Sequence, residues 1–158
     1  MSSARDRLLV VEDEPSMLTV IREVLESEGF EVYGACNGVE ALEILKTSPL
    51  PDLIISDVMM PQMDGFELLR RVRRVDAWVN IPFMFLSART EQGDISAGKS
   101  LGADDYIPKP FDYKELLSVV RARLARYRAM AHHQTSQITE LKRQILMLLN
   151  HEFRTPLT

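Results

Sequence analysis

LLVVEDEPSMLTVIREVLESEGFEVYGA, residues 8–35, holds one full repeat of the pattern that decides the fold. Four apolar residues, Leu8 to Val11, run into the acidic trio Glu12, Asp13 and Glu14. Apolar side chains then return at helical spacing, at Met17, Val20, Ile21, Val24 and Leu25, and Pro15 stands where a first helical turn loses nothing by lacking an amide hydrogen. A second short apolar run, Val32 to Ala35, closes the stretch. Further along, the runs Leu53 to Ile55, Phe83 to Leu86 and Tyr106 to Ile107 recur between segments of helical period such as Phe66, Leu68, Leu69 and Val72. Strands alternating with helices predict an α/β, doubly wound parallel sheet covered on both faces, with five strands and five helices in the first 125 residues. Asn37 with Glu40, and Asp112 with Glu115, carry the acceptor and the carboxylate three residues on that cap helix starts.

The chain has 158 residues, 46% of them apolar and 27% charged, which suits one globular domain and a smaller appendage and excludes a multi-domain enzyme. Apolar runs stop at four or five residues, far below the roughly 18 that span a bilayer, and MSSARDR has no apolar stretch behind its charges, so neither a membrane segment nor a signal peptide is expected. Cys36 is the only cysteine, which excludes a disulfide framework and a cysteine-rich metal site and makes a cytoplasmic address the expectation. The net charge of −4 hides an asymmetry: residues 1–120 hold 12 basic and 21 acidic side chains, residues 121–158 seven and two. The basic charges are spread thinly along an apolar periodicity, so a solvated helix face is expected there rather than nucleic-acid binding.

All seven glycines lie at or before Gly102, and no Gly or Pro occurs from Phe111 to Thr155. Through that stretch Leu124, Tyr127, Ala131, Gln134, Ile138, Leu141, Ile145 and Leu148 step alternately by three and four, a heptad seam that calls for a partner helix. A helix from Asp112 to Asn150 would be roughly 58 Å long, too long for a domain of this size to cover, so a homodimer through residues 124–149 is the expectation, weak in the middle at Ala131 and Gln134.

Glu12 and Asp13 follow the first strand and Asp57 follows the third, so three carboxylates stand at strand C-termini, the edge where doubly wound sheets bind ligands. Any one of them could be a solvated loop residue. Three together repel, and an oxygen-only set without His or Cys favours a hard cation such as magnesium. The loop from Glu12 to Ser16 has no glycine to bring backbone against a pyrophosphate, which disfavours a dinucleotide or P-loop site and points to chemistry on a carboxylate.

VVEDEP at 10–15, LIISDVMMPQMDG at 53–65, LSA at 86–88 and GADDYIPKPF at 102–111 resemble, in order and spacing, the motifs of the receiver domain of bacterial two-component signalling. The resemblance covers about residues 5–125. It implies a flavodoxin-like sheet of order 2-1-3-4-5 with Asp57 as phosphoacceptor, charged by a histidine kinase or phosphotransfer protein. Asp13, Asp57 and the carbonyl of Met59 would ligate Mg2+, Glu12 acting through water. Ser87 would bind the phosphoryl group and Lys109 pair with it, its peptide to Pro110 being cis, and Tyr106 would be the aromatic switch. These roles are physically coherent: an aspartate can attack phosphorus, and the loose transition state asks the site mainly for positive charge and positioning. Ser87 has a partner only when the phosphoryl group is present, and the space it vacates can admit Tyr106.

HEFRTPLT, residues 151–158, looks like the phosphoacceptor box of the dimerising domain of histidine kinases. By that resemblance His151 is the phosphorylated histidine and Glu152 its acid/base helper. On a helix Leu149, Phe153 and Leu157 form one stripe and His151 lies about 160° from its centre, facing water. No nucleotide-binding motif is present, so the sequence is expected to be a piece of a longer protein and not a kinase by itself. The expected organisation is a receiver at 1–125, a coiled-coil helix at 126–149 and the start of a kinase dimerisation domain at 150–158. A structural dimerising adaptor that is never phosphorylated is opposed by the intact set of Glu12, Asp13, Asp57, Ser87 and Lys109, and a DNA-binding regulator by the lack of a helix-turn-helix after residue 125.

Overall fold

The computed structural model describes the backbone of residues 5–88 and 102–154 and the side chains of 5–87 and 102–150. In chain order come β1 (Arg7–Val11), α1 (Pro15–Ser27), β2 (Glu31–Ala35), α2 (Gly38–Thr47), β3 (Leu53–Asp57), α3 (Gly65–Arg73), β4 (Phe83–Ala88), β5 (Asp105–Lys109) and α4 (Tyr113–Arg154). The strands form one parallel sheet in the order β2-β1-β3-β4-β5. The expected fold and strand order are both present. Four helices occur among the described residues; a fifth would fall on 89–101, outside them.

The sequence explains which strands take the middle. Leu8 to Val11, Leu53 to Ile55 and Phe83 to Leu86 are all 0% exposed, the unbroken apolar runs of strands covered on both faces. β5 includes Pro108, which is tolerable because this strand ends the sheet order. Helix starts follow local chemistry. Pro15 opens α1, the Asn37 side chain accepts from the Glu40 amide at 2.8 Å before α2, and the Asp64 side chain accepts from the Glu67 amide at 2.8 Å before α3. The return half of the expected capping box differs in detail, because the Glu40 carboxylate accepts from the Cys36 amide at 3.2 Å, one residue ahead of the cap. Asp112 accepts from the Lys114 amide at 3.0 Å at the start of α4.

Contacts divide the chain into two units, Met1–Val120 and Arg121–Thr158. The first contains the sheet and its core. The second is the remainder of α4, and its seam is largely uncovered: Tyr127, Ile138, Leu141, Ile145 and Leu148 are 37%, 54%, 56%, 48% and 66% exposed. Leu124 departs from the rest of the seam, being 4% exposed. Among the described residues no helix is long and apolar enough to cross a membrane.

Candidate functional site

The site lies where β1, β3 and β5 end. β1 stops at Val11, and Glu12, held by its amide on the Ala35 carbonyl at 3.0 Å, turns a carboxylate inward where it is 1% exposed. Asp57 is the last residue of β3, not the residue after it as the apolar run suggested, and is 7% exposed. Ligand atoms of Glu12, Asp13 and Asp57 all lie within 4.8 Å of one another, with Asp13 on the exposed side. Lys109 reaches in from the end of β5: its Nζ donates to Asp57 Oδ2 at 3.1 Å and to Glu12 Oε1 and Oε2 at 3.2 and 3.1 Å. The peptide from Lys109 to Pro110 is cis.

Electrostatics follow from this crowding. Burial, then the charge of Asp57 and a hydrogen bond with it, push the Glu12 carboxyl up to about 7 against the opposing pull of Lys109. Burial works to lower Lys109, but the hydrogen bond to Asp57 and its charge, joined by Glu12, outweigh it and hold the ammonium above its ordinary range. Two buried carboxylates with the exposed Asp13 beside them leave a deficit of positive charge that one lysine only partly fills. Oxygen donors alone, converging within reach of one ion, suit a hard divalent cation such as Mg2+.

Other expected site residues fall close by. Asp57 is in register with Leu86, so Ser87, 3% exposed, stands one residue further along the neighbouring strand. Tyr106 on β5 is half-buried, its ring 5.2 Å from that of Phe85. Met59 lies two residues past Asp57 with its side chain 75% exposed. His151 and Glu152 belong to the last turns of α4, and their side chains lie outside the described residues.

Sequence reasoning missed three features. The Val58 amide donates to Asp57 Oδ1 at 3.0 Å, so one carboxylate oxygen is held by the backbone next to it. Gly65, at the start of α3, packs against the end of β3: a Cβ there would run into the Asp57 carbonyl oxygen and come within 2.8 Å of Phe85 Cε1 and 3.1 Å of Val58 Cα. Between them Gln62, at φ 71°, sits between the Pro61 carbonyl and the Met63 amide that donates to it at 2.8 Å, a three-residue turn in a region a side chain seldom enters. The DG pair at 64–65 is a generic turn signal; its approach to Asp57 is a contact in space with no mark in the local sequence.

A family described as Response regulator receiver domain matches residues 8–121. A transcriptional regulatory protein CpxR homolog from Haemophilus influenzae is 43% identical over 120 residues, which are 76% of this chain and 51% of that protein. Among solved structures, a putative response regulator from Chloroflexus aurantiacus is 37% identical with a TM-score of 0.72, covering 77% of this chain and 99% of that one. The signal receiver domain of a signal transduction histidine kinase from Syntrophus aciditrophicus is 36% identical with a TM-score of 0.70, covering 76% and 90%. The chain spans little more than half the length of the curated relatives it matches, 51% and 54% for two of them.

Proposed function

Because the chain belongs to the response regulator receiver domain family, whose members are phosphorylated on an aspartate in two-component signalling, we propose that Asp57 is the acceptor and that α4 carries the resulting change toward a histidine-kinase phosphoacceptor box at 151–158. The observation that carries the first half is the 3.1 Å contact of Lys109 with Asp57 beside two further carboxylates. The Val58 amide fixes Asp57 Oδ1 and leaves the other oxygen on the Lys109 side. That carboxylate attacks phosphorus, a bond from oxygen to phosphorus forms, and the bond to the donor histidine or small-molecule carboxylate breaks with its electron pair leaving on the donor. Lys109 neutralises charge that builds on the transferring group. Glu12, Asp13, Asp57 and the Met59 carbonyl would hold Mg2+, which when bound supplies further positive charge to the phosphoryl oxygens. Ser87, one residue past the rung of Asp57, then takes a hydrogen bond to the phosphoryl group, and Tyr106 turns into the space Ser87 leaves.

Two features support the second half. α4 is a single helix from Tyr113 to Arg154, beginning four residues after β5 ends at Lys109. Ile138 and Ile145 alternate with Leu141 and Leu148 on its seam, the arrangement that favours a parallel two-stranded coil. The receiver from a histidine kinase among the similar structures accords with a kinase output. A transcriptional output is the second reading, favoured by the regulator from Haemophilus influenzae.

Incubation with acetyl phosphate and magnesium, read by intact-protein mass spectrometry, tests the acceptor: the native chain gains one phosphoryl group and the Asp57→Asn variant gains none. A variant that still gains one removes Asp57 from the role.

A further inference from the structure

Four polar or charged residues are buried in the described part of the chain: Glu12, Asp57, Ser87 and Ser56. The first three belong to the site; Ser56, 0% exposed in the middle of the sheet, has no part in the chemistry above. Its position in the ladder gives it one. β1 ends at Val11, which is in register with Ser56, so no β1 residue stands opposite Asp57. The Val58 amide points to β4, donating to the Leu86 carbonyl at 3.3 Å. A trans peptide directs its carbonyl opposite to its N–H, so the Asp57 carbonyl faces the β1 side just where β1 has run out of residues. A buried carbonyl without a partner is costly, and here the Ser56 hydroxyl supplies one, donating to the Asp57 oxygen at 2.9 Å. Gly65 packs close to the same oxygen, leaving no space there for a Cβ.

We infer that Ser56 is a positioning residue for the phosphoacceptor: its hydroxyl ties down the peptide between Asp57 and Val58, and that peptide in turn holds the Asp57 carboxylate through the Val58 amide. The inference rests on the reading of Asp57 as the acceptor. Without the hydroxyl the peptide gains freedom to tilt, and both the direction of Asp57 Oδ2 and its 3.1 Å contact with Lys109 are loosened.

Ser56→Ala and Ser56→Cys separate the hydroxyl from the volume it fills, since a thiol occupies the space but donates weakly. Both variants are expected to lower the maximal rate of phosphorylation by acetyl phosphate roughly three- to tenfold, with the half-saturating donor concentration unchanged, because a lost hydrogen bond misplaces the nucleophile and leaves donor binding alone. Hydrogen exchange of the Val58 amide is expected to accelerate by a similar factor in both variants, relative to amides in β1. A Ser56→Cys variant that phosphorylates at the native rate with native Val58 exchange overturns the inference, as does a Ser56→Ala variant in which all core amides accelerate equally, which is the mark of general destabilisation. Failure of the Asp57 reading looks different: phosphorylation then persists in Asp57→Asn, while the Val58 exchange still reports on what Ser56 does.

Discussion

Replacing Gly65 by alanine places one methyl group against three rigid neighbours. It would overlap the Asp57 carbonyl oxygen and stand 2.8 Å from Phe85 Cε1 and 3.1 Å from Val58 Cα. Two are backbone atoms and the third is a ring atom of the fully buried Phe85, so relief requires α3 to withdraw from the sheet. Overpacking of this kind costs about 1–3 kcal/mol, and the helix preference of alanine over glycine returns at most about 1 kcal/mol. Gly38→Ala is the softer control: its methyl would stand 2.7, 3.0 and 3.1 Å from Met63 Sδ, Cγ and Cβ, all atoms of one flexible side chain and none of them backbone. Gly65→Ala is therefore expected to lose about 2 kcal/mol and Gly38→Ala to stay within about 1 kcal/mol of the native chain. With a urea m-value of about 1–2 kcal/mol/M, the first change lowers the unfolding midpoint by about 1–2 M. Gly65→Ala should also slow phosphorylation at saturating donor, because the displaced carbonyl belongs to Asp57 itself. Equal midpoints for the two variants would refute the claim that backbone crowding at Asp57, and not helix propensity, dictates glycine at position 65.

The remaining expectations concern the cation and the helix. Folding raises the proton affinity of Glu12 from its ordinary 4.5 to about 7, so this group stabilises the cation-free protein fully below pH 4.5 and that stabilisation is lost as pH rises through about 7. Mg2+ competes with the proton, so its apparent affinity by calorimetric titration should rise about tenfold from pH 6 to pH 8, and a flat profile would contradict the raised carboxyl. Leu141, 56% exposed at the centre of the seam, should be buried on dimerisation, and Leu141→Asp should turn a sedimenting dimer into a monomer; a native chain already monomeric well above micromolar concentration rules the dimer out. Under the proposed kinase output, two alanines inserted after Met130, which turn the lower helix by about 200°, should abolish the effect of Asp57 phosphorylation on a kinase module joined through α4, while a seven-residue insertion keeps it. Coupling indifferent to insertion length would leave a tethered receiver as the better account.

The strand cores were legible because a parallel sheet covered on both faces demands unbroken apolar runs, and β1, β3 and β4 have them. The strand ends were less so. β3 runs on to Asp57 and β4 to Ala88, beyond the apolar runs that mark them, because polar Ser56, Asp57 and Ser87 interrupt the apolar pattern before the strands end. The carboxylates could be assigned to one edge from topology alone, and the structure brings ligand atoms of Glu12, Asp13 and Asp57 within 4.8 Å of one another, with Lys109 bonded to Glu12 and Asp57. What the sequence did not display is contact between elements: Gly65 of α3 against Asp57 of β3, and Arg73 of α3 donating to the carbonyls of Ile81 at 2.7 Å and Gly102 at 3.0 Å. Nor does the heptad pattern distinguish Leu124, 4% exposed, from Ile138, which carries the same apolar character but stands exposed.

β5 ends the sheet order, and an end strand is a template on which another chain can polymerise. Pro108 removes one main-chain donor from this strand. A foreign strand laid along it would lose a rung, so growth into cross-β stacks is discouraged at this rim. The proline that this end strand tolerates thus also guards the edge against fibrillar growth.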